Sequence, residues 1–204
     1  MIVFVNGYER DTRPELFDTM FRQRKQVFID RMGWALPATD GDYEIDEFDR
    51  EDTVYVCSVL PNGELAGSVR LLNTTTPHMA VGPFSVMFPD VTVRSPTLWE
   101  GTRFTIPEDR RLQPNGVSRA ACEILLGLCL FGLEYGASQM TAIYEPPLAR
   151  LFKKCGISHF VLARHQSPEH GSIHFGLWDI SRQLESSIRS ATGISRLETV
   201  SIAA

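Results

Sequence analysis

Phe17, Phe21, Arg24 and Phe28 recur at helical spacing, which puts one guanidinium on a face with three aromatic rings. That placement admits two readings. The arginine stem can cover the edge of a core while its head reaches water, or the guanidinium can be held in an aromatic-lined pocket. Downstream, residues 40–52 carry eight acids: Asp40, Asp42, Glu44, Asp46, Glu47, Asp49, Glu51 and Asp52. A charge run is usually a solvated face, and that reading suits most of the eight. Ile45 and Phe48 interrupt the run, however, so the segment touches a core at two points and can turn a few carboxylates inward. Arg70 lies near the end of one apolar, β-branched stretch. Glu100 and Arg103 lie in another, between Trp99 and Phe104. Three residues apart on a regular strand, Glu100 and Arg103 point to opposite faces. A bulge near Gly101 would bring them together; without one, at most one of the pair lines a pocket. The remaining reactive side chains carry less. Cys57, Cys122, Cys129 and Cys155 show neither CxxC pairing nor metal-ligand spacing, and Cys122 and Cys129, seven apart, read as small core residues. His165, His170 and His174 lie in a polar stretch without HExxH, so no metal site is expected.

The elements that must position these groups can be read from periodicity and punctuation. Ile2–Val5 is a short apolar run. Thr12-Arg13-Pro14-Glu15 reads as a capping box opening a helix. Thr53–Leu60 and Leu65–Leu72 form a hairpin pattern through Pro61-Asn62-Gly63-Glu64, and a polar, Pro- and Phe-rich connection passes Phe84 and Phe88 to a strand over Leu98–Ile106. A helix that is apolar nearly all round runs from Ser118 to Tyr135, stopped by Gly136, and is expected to be buried. A strand over Met140–Tyr144, a short helix over Pro147–Lys154, strands near Ser158–Leu162 and Ile173–Trp178, and a last helix capped by Asp179 complete the pattern, with a frayed tail from about residue 190. Strands grouped before one buried helix, then strand–helix–strand, fit a three-layer α/β sandwich on a mixed sheet.

Composition narrows the class. The chain has 204 residues, 43% hydrophobic and 22% charged, which suits one domain over 1–204 with a sizeable core. A net charge of −5 argues against a general nucleic-acid binder. No apolar run reaches the ~18 residues of a spanning helix, and the start MIVFVNGYERD lacks the form of a signal peptide. The expectation is a cytoplasmic protein with no membrane or nucleic-acid partner.

In order, Arg24-x3-Phe28-x5-Trp34, then Asp46-Glu47-Phe48-Asp49, then Arg70, then Phe84, then Trp99-Glu100-Gly101-Thr102-Arg103-Phe104 resembles the pattern of LuxI-type acyl-homoserine-lactone synthases. The match is residue by residue over about the first half. The second half matches in layout: buried helix, strand, and a short helix ending in Lys-Lys-Cys-Gly. The resemblance implies an N-acyltransferase-like (GNAT-like) fold with a V-shaped sheet, its acyl-pantetheine arm lying between the strands around Glu100–Arg103 and Met140–Tyr144. It implies S-adenosylmethionine as acyl acceptor, with its site in a segment of about residues 1–52 packed on an acyltransferase core. The donor would be an acyl carrier protein or an acyl-coenzyme A. No tightly bound cofactor is implied.

The chemistry of that reaction explains the residue types. An acceptor bearing a sulfonium, an amine, a carboxylate and an adenine needs both signs of charge and flat apolar surfaces. Arg24, Arg70 or Arg103 can clamp the carboxylate through paired hydrogen bonds. Asp46 and Asp49 can hold the amine and sulfonium end or lock those arginines, while Phe28 and Trp34 offer ring faces; Phe84 belongs to the same set by resemblance. Glu100 is the candidate base, directly or through one water. A free glutamate near ~4.3 is a weak base for an ammonium, so burial would have to raise it. The acyl pocket is expected among Leu125, Cys129, Ile143, Tyr144, Leu148 and Leu151, positions that are core by default. Arg150, Lys153 and Lys154 on the short helix are the expected docking site for an acidic carrier protein, although basic residues there also complement a helix dipole. Arg110, Arg111 and Arg119, before the buried helix, can hold a donor phosphate. The five charged residues Arg24, Asp46, Asp49, Arg70 and Arg103 can equally form an ion-pair network pinning the first segment to the sheet. Two other functions stand beside the synthase: a GNAT-type acyltransferase for another amine, and a module that senses acyl chains.

Overall fold

A computed structural model describes residues 1–36, 41–108, 117–168 and 171–200. The apolar run at the start becomes strand β1 (Ile2–Asn6), antiparallel to β2 (Val54–Val59) with Val3 opposite Cys57 and Val5 opposite Tyr55. The other strands are β3 (Leu65–Asn73), β4 (Leu98–Thr105), β5 (Gln139–Tyr144), β6 (Phe160–Ser167), β7 (Gly171–Asp179) and β8 (Thr199–Val200). They form one open sheet in the order β6-β7-β5-β4-β3-β2-β1-β8. It is mixed: β4–β5 and β1–β8 are parallel, whereas β1–β2, β5–β7 and β6–β7 are antiparallel. The helices are α1 (Pro14–Arg24), α2 (Arg119–Tyr135), α3 (Pro146–Lys154) and α4 (Arg182–Thr192). Among the described residues no helix is long and apolar enough to cross a membrane.

Residue contacts group into two compact units that interleave along the chain. The first comprises Met1–Arg70 and Arg103–Ile124 with the stretch from Leu197. There α1 buries Phe17, Met20 and Phe21 against Val3, Val5, Tyr55 and Cys57 on one face of the sheet; each such side chain contributes about 1.5–3 kcal/mol. The first turns of α2 take the other face, where Ser58 Oγ donates to Glu123 Oε2 at 2.8 Å. Gly67 permits this close approach, since a Cβ there would lie 3.2 Å from Ile124 Cδ1 of α2. The second unit comprises Leu71–Thr102 and Leu125–Arg196. The loop between β3 and β4 packs Ala80, Phe88 and Val93 on Leu98, Ile173 and Phe175. On the opposite face Phe131 of α2 meets Trp99, and Phe152 of α3 meets Tyr144 and Trp178. Alternation along the strands produces both faces.

Three local expectations change. The capping box at Thr12–Glu15 does not form. Thr12 instead donates to the Glu9 carbonyl at 2.9 Å, and Glu9 accepts from the Asn6 amide at 2.7 Å across a 3₁₀ turn, Gly7–Asp11. The last helix is capped by Ser181, whose Oγ accepts from the Leu184 amide at 3.1 Å, rather than by Asp179, which ends β7. The tail is less frayed than its composition suggests. Helix α4 continues to Thr192, and Thr199–Val200 pairs beside Ile2 and Val3.

Candidate active site

Helix α1 ends at Arg24 and the chain continues as a π-helical turn, Lys25–Arg31. Such wide turns are common at functional sites. Gly33 then takes a left-handed φ of 66° and the Trp34 amide donates to the Phe28 carbonyl at 2.9 Å. This brings the Trp34 ring onto Phe28, centroids 5.0 Å apart and planes 26° from parallel.

Arg24 itself is 1% exposed and does not reach solvent. Its Nε donates to Glu44 at 2.6 Å, and Nη1 and Nη2 grip Asp49 at 2.6 and 2.9 Å. Asp49 also pairs with Arg70 at 3.0 Å. Arg70 in turn forks onto both oxygens of Asp46. Asp46 accepts from Arg103 at 2.8 Å, and Arg103 returns to Glu44 at 3.0 Å. The six side chains close a ring in which cation and anion alternate, and every member bridges two of the opposite sign. Each guanidinium also lies over an aromatic ring: Arg24 over Phe21, Arg70 over Phe48 and Arg103 over Phe28, at 5.2, 5.7 and 5.6 Å. The buried charges are thus neutralised as a set, which burial demands.

The surroundings fix the protonation states. Burial opposes charge on Asp49, but Arg24 and Arg70 beside it outweigh that and hold its carboxyl well below the usual carboxylate range. Burial likewise disfavours the Arg24 and Arg70 cations, and their carboxylate partners raise both above the ordinary arginine value. Burial and the neighbouring Asp49 push the Tyr55 phenol far up, so it stays protonated and donates to Asp49 Oδ1 at 2.8 Å. Two members of the ring are less enclosed than the rest. The side chain of Asp46 is 11% exposed, and Arg103 presents an Nη1 that has no partner among the described residues.

Arg103 is also the backbone exception. Its φ is 53°, in the left-handed region that non-glycine residues rarely enter, whereas Gly101 is not. β4 does depart from regular strand geometry, at the arginine and as a left-handed residue. Such a conformation costs about 1–3 kcal/mol and clusters at functional sites; Thr105 Oγ1 braces it by donating to the Arg103 carbonyl at 2.9 Å. Glu100, on the same strand but in the second unit, is fully buried, and its Oε2 accepts from the Met79 amide at 2.7 Å. The β4–β5 register pairs Leu98 with Gln139, Trp99 with Met140 and Glu100 with Thr141, and among the described residues ends there. Phe84 also belongs to the second unit, half-buried, with its amide on the Met79 carbonyl at 3.0 Å.

The ring therefore collects Arg24, Asp46, Asp49, Arg70 and Arg103, and it adds Glu44, which sequence reasoning left among solvated acids. Asp42, Glu47, Glu51 and Asp52 do face solvent, and Asp40 lies outside the described residues. Of the expected acyl-pocket residues, Leu125 and Cys129 are buried on α2, while Leu148 and Leu151 are half-buried on α3. Ile143 packs with Phe88 and Phe175, whereas Tyr144 turns to the opposite face with Phe152, so one face can use only one of the two. Arg150, Lys153 and Lys154 are exposed. Arg119 is half-exposed and pairs with Glu123 at 2.8 Å; Arg110 and Arg111 lie outside the described residues. Burial pushes the Cys57 thiol up to about 12 and Cys129 to about 11, which makes both poor nucleophiles.

Comparison with known proteins gives the chain its family. The sequence pattern of the autoinducer synthases matches residues 8–188. An acyl-homoserine-lactone synthase of Rhizobium etli is 38% identical over 175 residues, 84% of this chain and 80% of that protein. A solved structure described as a CoA-dependent acyl-homoserine lactone synthase, MesI, superposes with a TM-score of 0.83 at 26% identity, over 98% of this chain and 99% of that one. A more distant likeness, a putative N-acetyltransferase from Lactobacillus plantarum, has a TM-score of 0.58 at 14% identity over 89% of this chain and 98% of that one, and marks the fold as GNAT-like. A left-handed arginine tied into a buried charge ring, on a strand that also carries a buried glutamate, thus occurs in a chain that belongs to the autoinducer synthases, the family of acyl-homoserine-lactone synthases.

Proposed function

We propose that the ring and strand β4 divide the work of the family's reaction between them. That reaction transfers an acyl group from a thioester donor to the amine of S-adenosylmethionine and closes the lactone, releasing methylthioadenosine. The observation that carries the division of labour is the ring itself. Arg24 and Arg70 spend their donors on protein carboxylates and act as struts, which favours the ion-pair reading for them. Arg103 keeps Nη1 for the substrate carboxylate, and the partly exposed Asp46 faces the amine and sulfonium end. The Phe28–Trp34 stack supplies the flat surface for adenine or sulfonium.

Glu100 is the base in this reading. It takes a proton from the ammonium, directly or through one water, and the free amine attacks the thioester carbonyl carbon. The tetrahedral oxyanion collapses and expels the thiolate. Where β4 and β5 part company beyond Glu100 and Thr141, backbone amides no longer spent on the ladder can receive that oxyanion. The substrate carboxylate, held by Arg103, then attacks Cγ and displaces the sulfonium as methylthioadenosine. This second step depends on orientation, which a rigid ring provides.

The donor on this reading is an acyl-coenzyme A, supported by the likeness to the CoA-dependent MesI. Arg119 at the start of α2 is the described residue best placed for its phosphates. The exposed trio Arg150, Lys153 and Lys154 favours a second reading, an acidic carrier protein. Glu100→Gln tests the base. It should fold, retain S-adenosylmethionine binding by calorimetry, and lose about 10²–10⁴-fold in lactone formation. Lactone production at the wild-type rate would remove Glu100 from the chemistry.

A further inference from the structure

Asp18 and Arg22, one turn apart on α1, hold a tyrosine of the acidic loop. Arg22 Nε donates to Asp18 Oδ2 at 3.0 Å, Nη1 to Asp42 at 2.8 Å and Nη2 to the Tyr43 hydroxyl at 3.1 Å. The Tyr43 hydroxyl donates in turn to Asp18 Oδ1 at 2.6 Å. The Arg22 guanidinium also covers the Tyr43 ring, 4.8 Å from its centroid. Protonation suits this pattern. The bonds from Tyr43 and Arg22 lower the Asp18 carboxyl below its usual range, and Asp18 raises the phenol, so a neutral phenol donates to a carboxylate.

The side chains of Arg22 and Asp18 are 43% and 44% exposed. Ion pairs so exposed add little to stability, and the place of this clasp in the chain says more than its strength. Tyr43 and Ile45 pack against the core under α1, whereas Glu44 between them is 1% exposed and turns into the charge ring. Arg22 and Arg24, two residues apart, leave α1 on different faces. One helix thereby grips two successive loop residues, Tyr43 through Arg22 and Glu44 through Arg24. The Glu44 amide is tied to the same helix, donating to the Phe21 carbonyl at 3.2 Å. Glu44 in turn aims Arg103. It accepts from Arg103 Nε at 3.1 Å and from Nη2 at 3.0 Å. A guanidinium is planar and rigid, so these two bonds set the direction of its third nitrogen, Nη1. That is the donor given above to the acceptor's carboxylate, and a fixed donor tolerates little displacement.

We propose that Tyr43, held by Asp18 and Arg22, is a positioning residue for S-adenosylmethionine. It fixes Glu44, and through Glu44 the Arg103 Nη1 that receives the substrate carboxylate. The proposal rests on the reading that Arg103 binds this carboxylate. It separates two kinds of ligand: the clasp matters for one that carries the carboxylate and not for one that lacks it.

Tyr43→Phe keeps the ring and its contact with Arg22 and removes the hydroxyl. Calorimetry measures the binding of S-adenosylmethionine, its decarboxylated analogue and methylthioadenosine to wild type and variant. The variant should bind S-adenosylmethionine about three- to tenfold more weakly, the span of one ordinary hydrogen bond, and KM for it should rise alike. Kd for the two ligands without a carboxylate and KM for the acyl donor should stay within about twofold of wild type. Asp18→Asn should weaken S-adenosylmethionine in the same way, and combining the two changes should add little, since both break one bond. Tm should move by no more than about 4 °C in Tyr43→Phe. Unchanged S-adenosylmethionine binding in that variant overturns the proposal. So does equal weakening of all three ligands, which marks a general loosening of the site. Failure of the underlying reading shows in wild type alone: if wild type does not bind S-adenosylmethionine, or binds the decarboxylated analogue equally well, Arg103 does not hold the carboxylate and the proposal falls with that reading.

Discussion

Glu44→Gln is the sharpest perturbation of the charge ring, because it removes one charge with almost no change of shape. The wild-type carboxylate takes a 2.6 Å bond from Arg24 Nε and bonds of 3.0–3.1 Å from Arg103 Nε and Nη2. In the variant three buried guanidinium groups face two carboxylates, and the new amide points N–H groups at N–H groups. Removing one partner of a buried ion pair costs about 3–5 kcal/mol, chiefly because the remaining charge is uncompensated. For a chain of this length each kcal/mol moves the midpoint by about 2–4 °C, so Tm should fall by about 6–20 °C. Glu47→Gln, an exposed member of the same acidic run, should stay within about 0.5 kcal/mol of wild type. Thermal and urea melts followed by circular dichroism read both. Adding Arg103→Gln to Glu44→Gln should cost less than the sum of the two single changes, since it takes away the stranded cation. Equal midpoints for Glu44→Gln and Glu47→Gln would refute the claim that the ring is a closed, buried unit.

Acid should dissolve the same ring within a definite window. Asp49 is depressed in the folded state, so the unfolded chain binds the extra proton. The stability it confers is complete above the unfolded carboxylate value of ~3.9 and drains away as pH falls from there toward its much lower folded value; Asp49→Asn should be less stable at neutral pH and nearly flat across that window in pH-dependent melts. On the donor side, Lys153→Glu with Lys154→Glu should raise KM steeply for an acyl-carrier-protein donor and leave the matched acyl-coenzyme A donor nearly unchanged. Equal kinetics of wild type and variant with the carrier-protein donor would end the docking reading.

Much of this arrangement was legible in the sequence, for identifiable reasons. The strands and helices around the site carry strong periodicity and clear stops, so the hairpin, the buried helix and the strand–helix–strand that follows appear where their patterns put them. Arg24, Asp46, Asp49, Arg70 and Arg103 stand out because charges interleaved with aromatics are costly unless used. Glu44 did not stand out. In an irregular loop of eight acids no period separates inward from outward side chains, and its burial depends on Arg103, which is 59 residues away. Sequence did raise the conflict between Glu100 and Arg103 on a regular strand, but placed its resolution at Gly101, the residue for which strain is cheapest. The left-handed turn falls on Arg103 instead, where two carboxylates and Phe28 hold the side chain and so over-determine the backbone. The helix caps were misread for a related reason: Asp179 is an adequate local cap, but it ends β7 and Ser181 takes its place, while Thr12 turns back to the Glu9 carbonyl and leaves α1 without a side-chain cap.

The closed ring also bears on how these enzymes can be recombined. Its members are drawn from four separate stretches: the end of α1, the loop at 44–49, β3 and β4. A chimera joined to a related synthase anywhere between Arg24 and Arg103 takes some of the cations from one parent and some of the anions from the other. Such a hybrid is sound only when both parents supply the same alternation of sign at all six positions. A junction placed after Thr105 carries the ring across intact, but it divides both packed units, so Phe88 and Val93 of one parent must then fit Ile173 and Phe175 of the other.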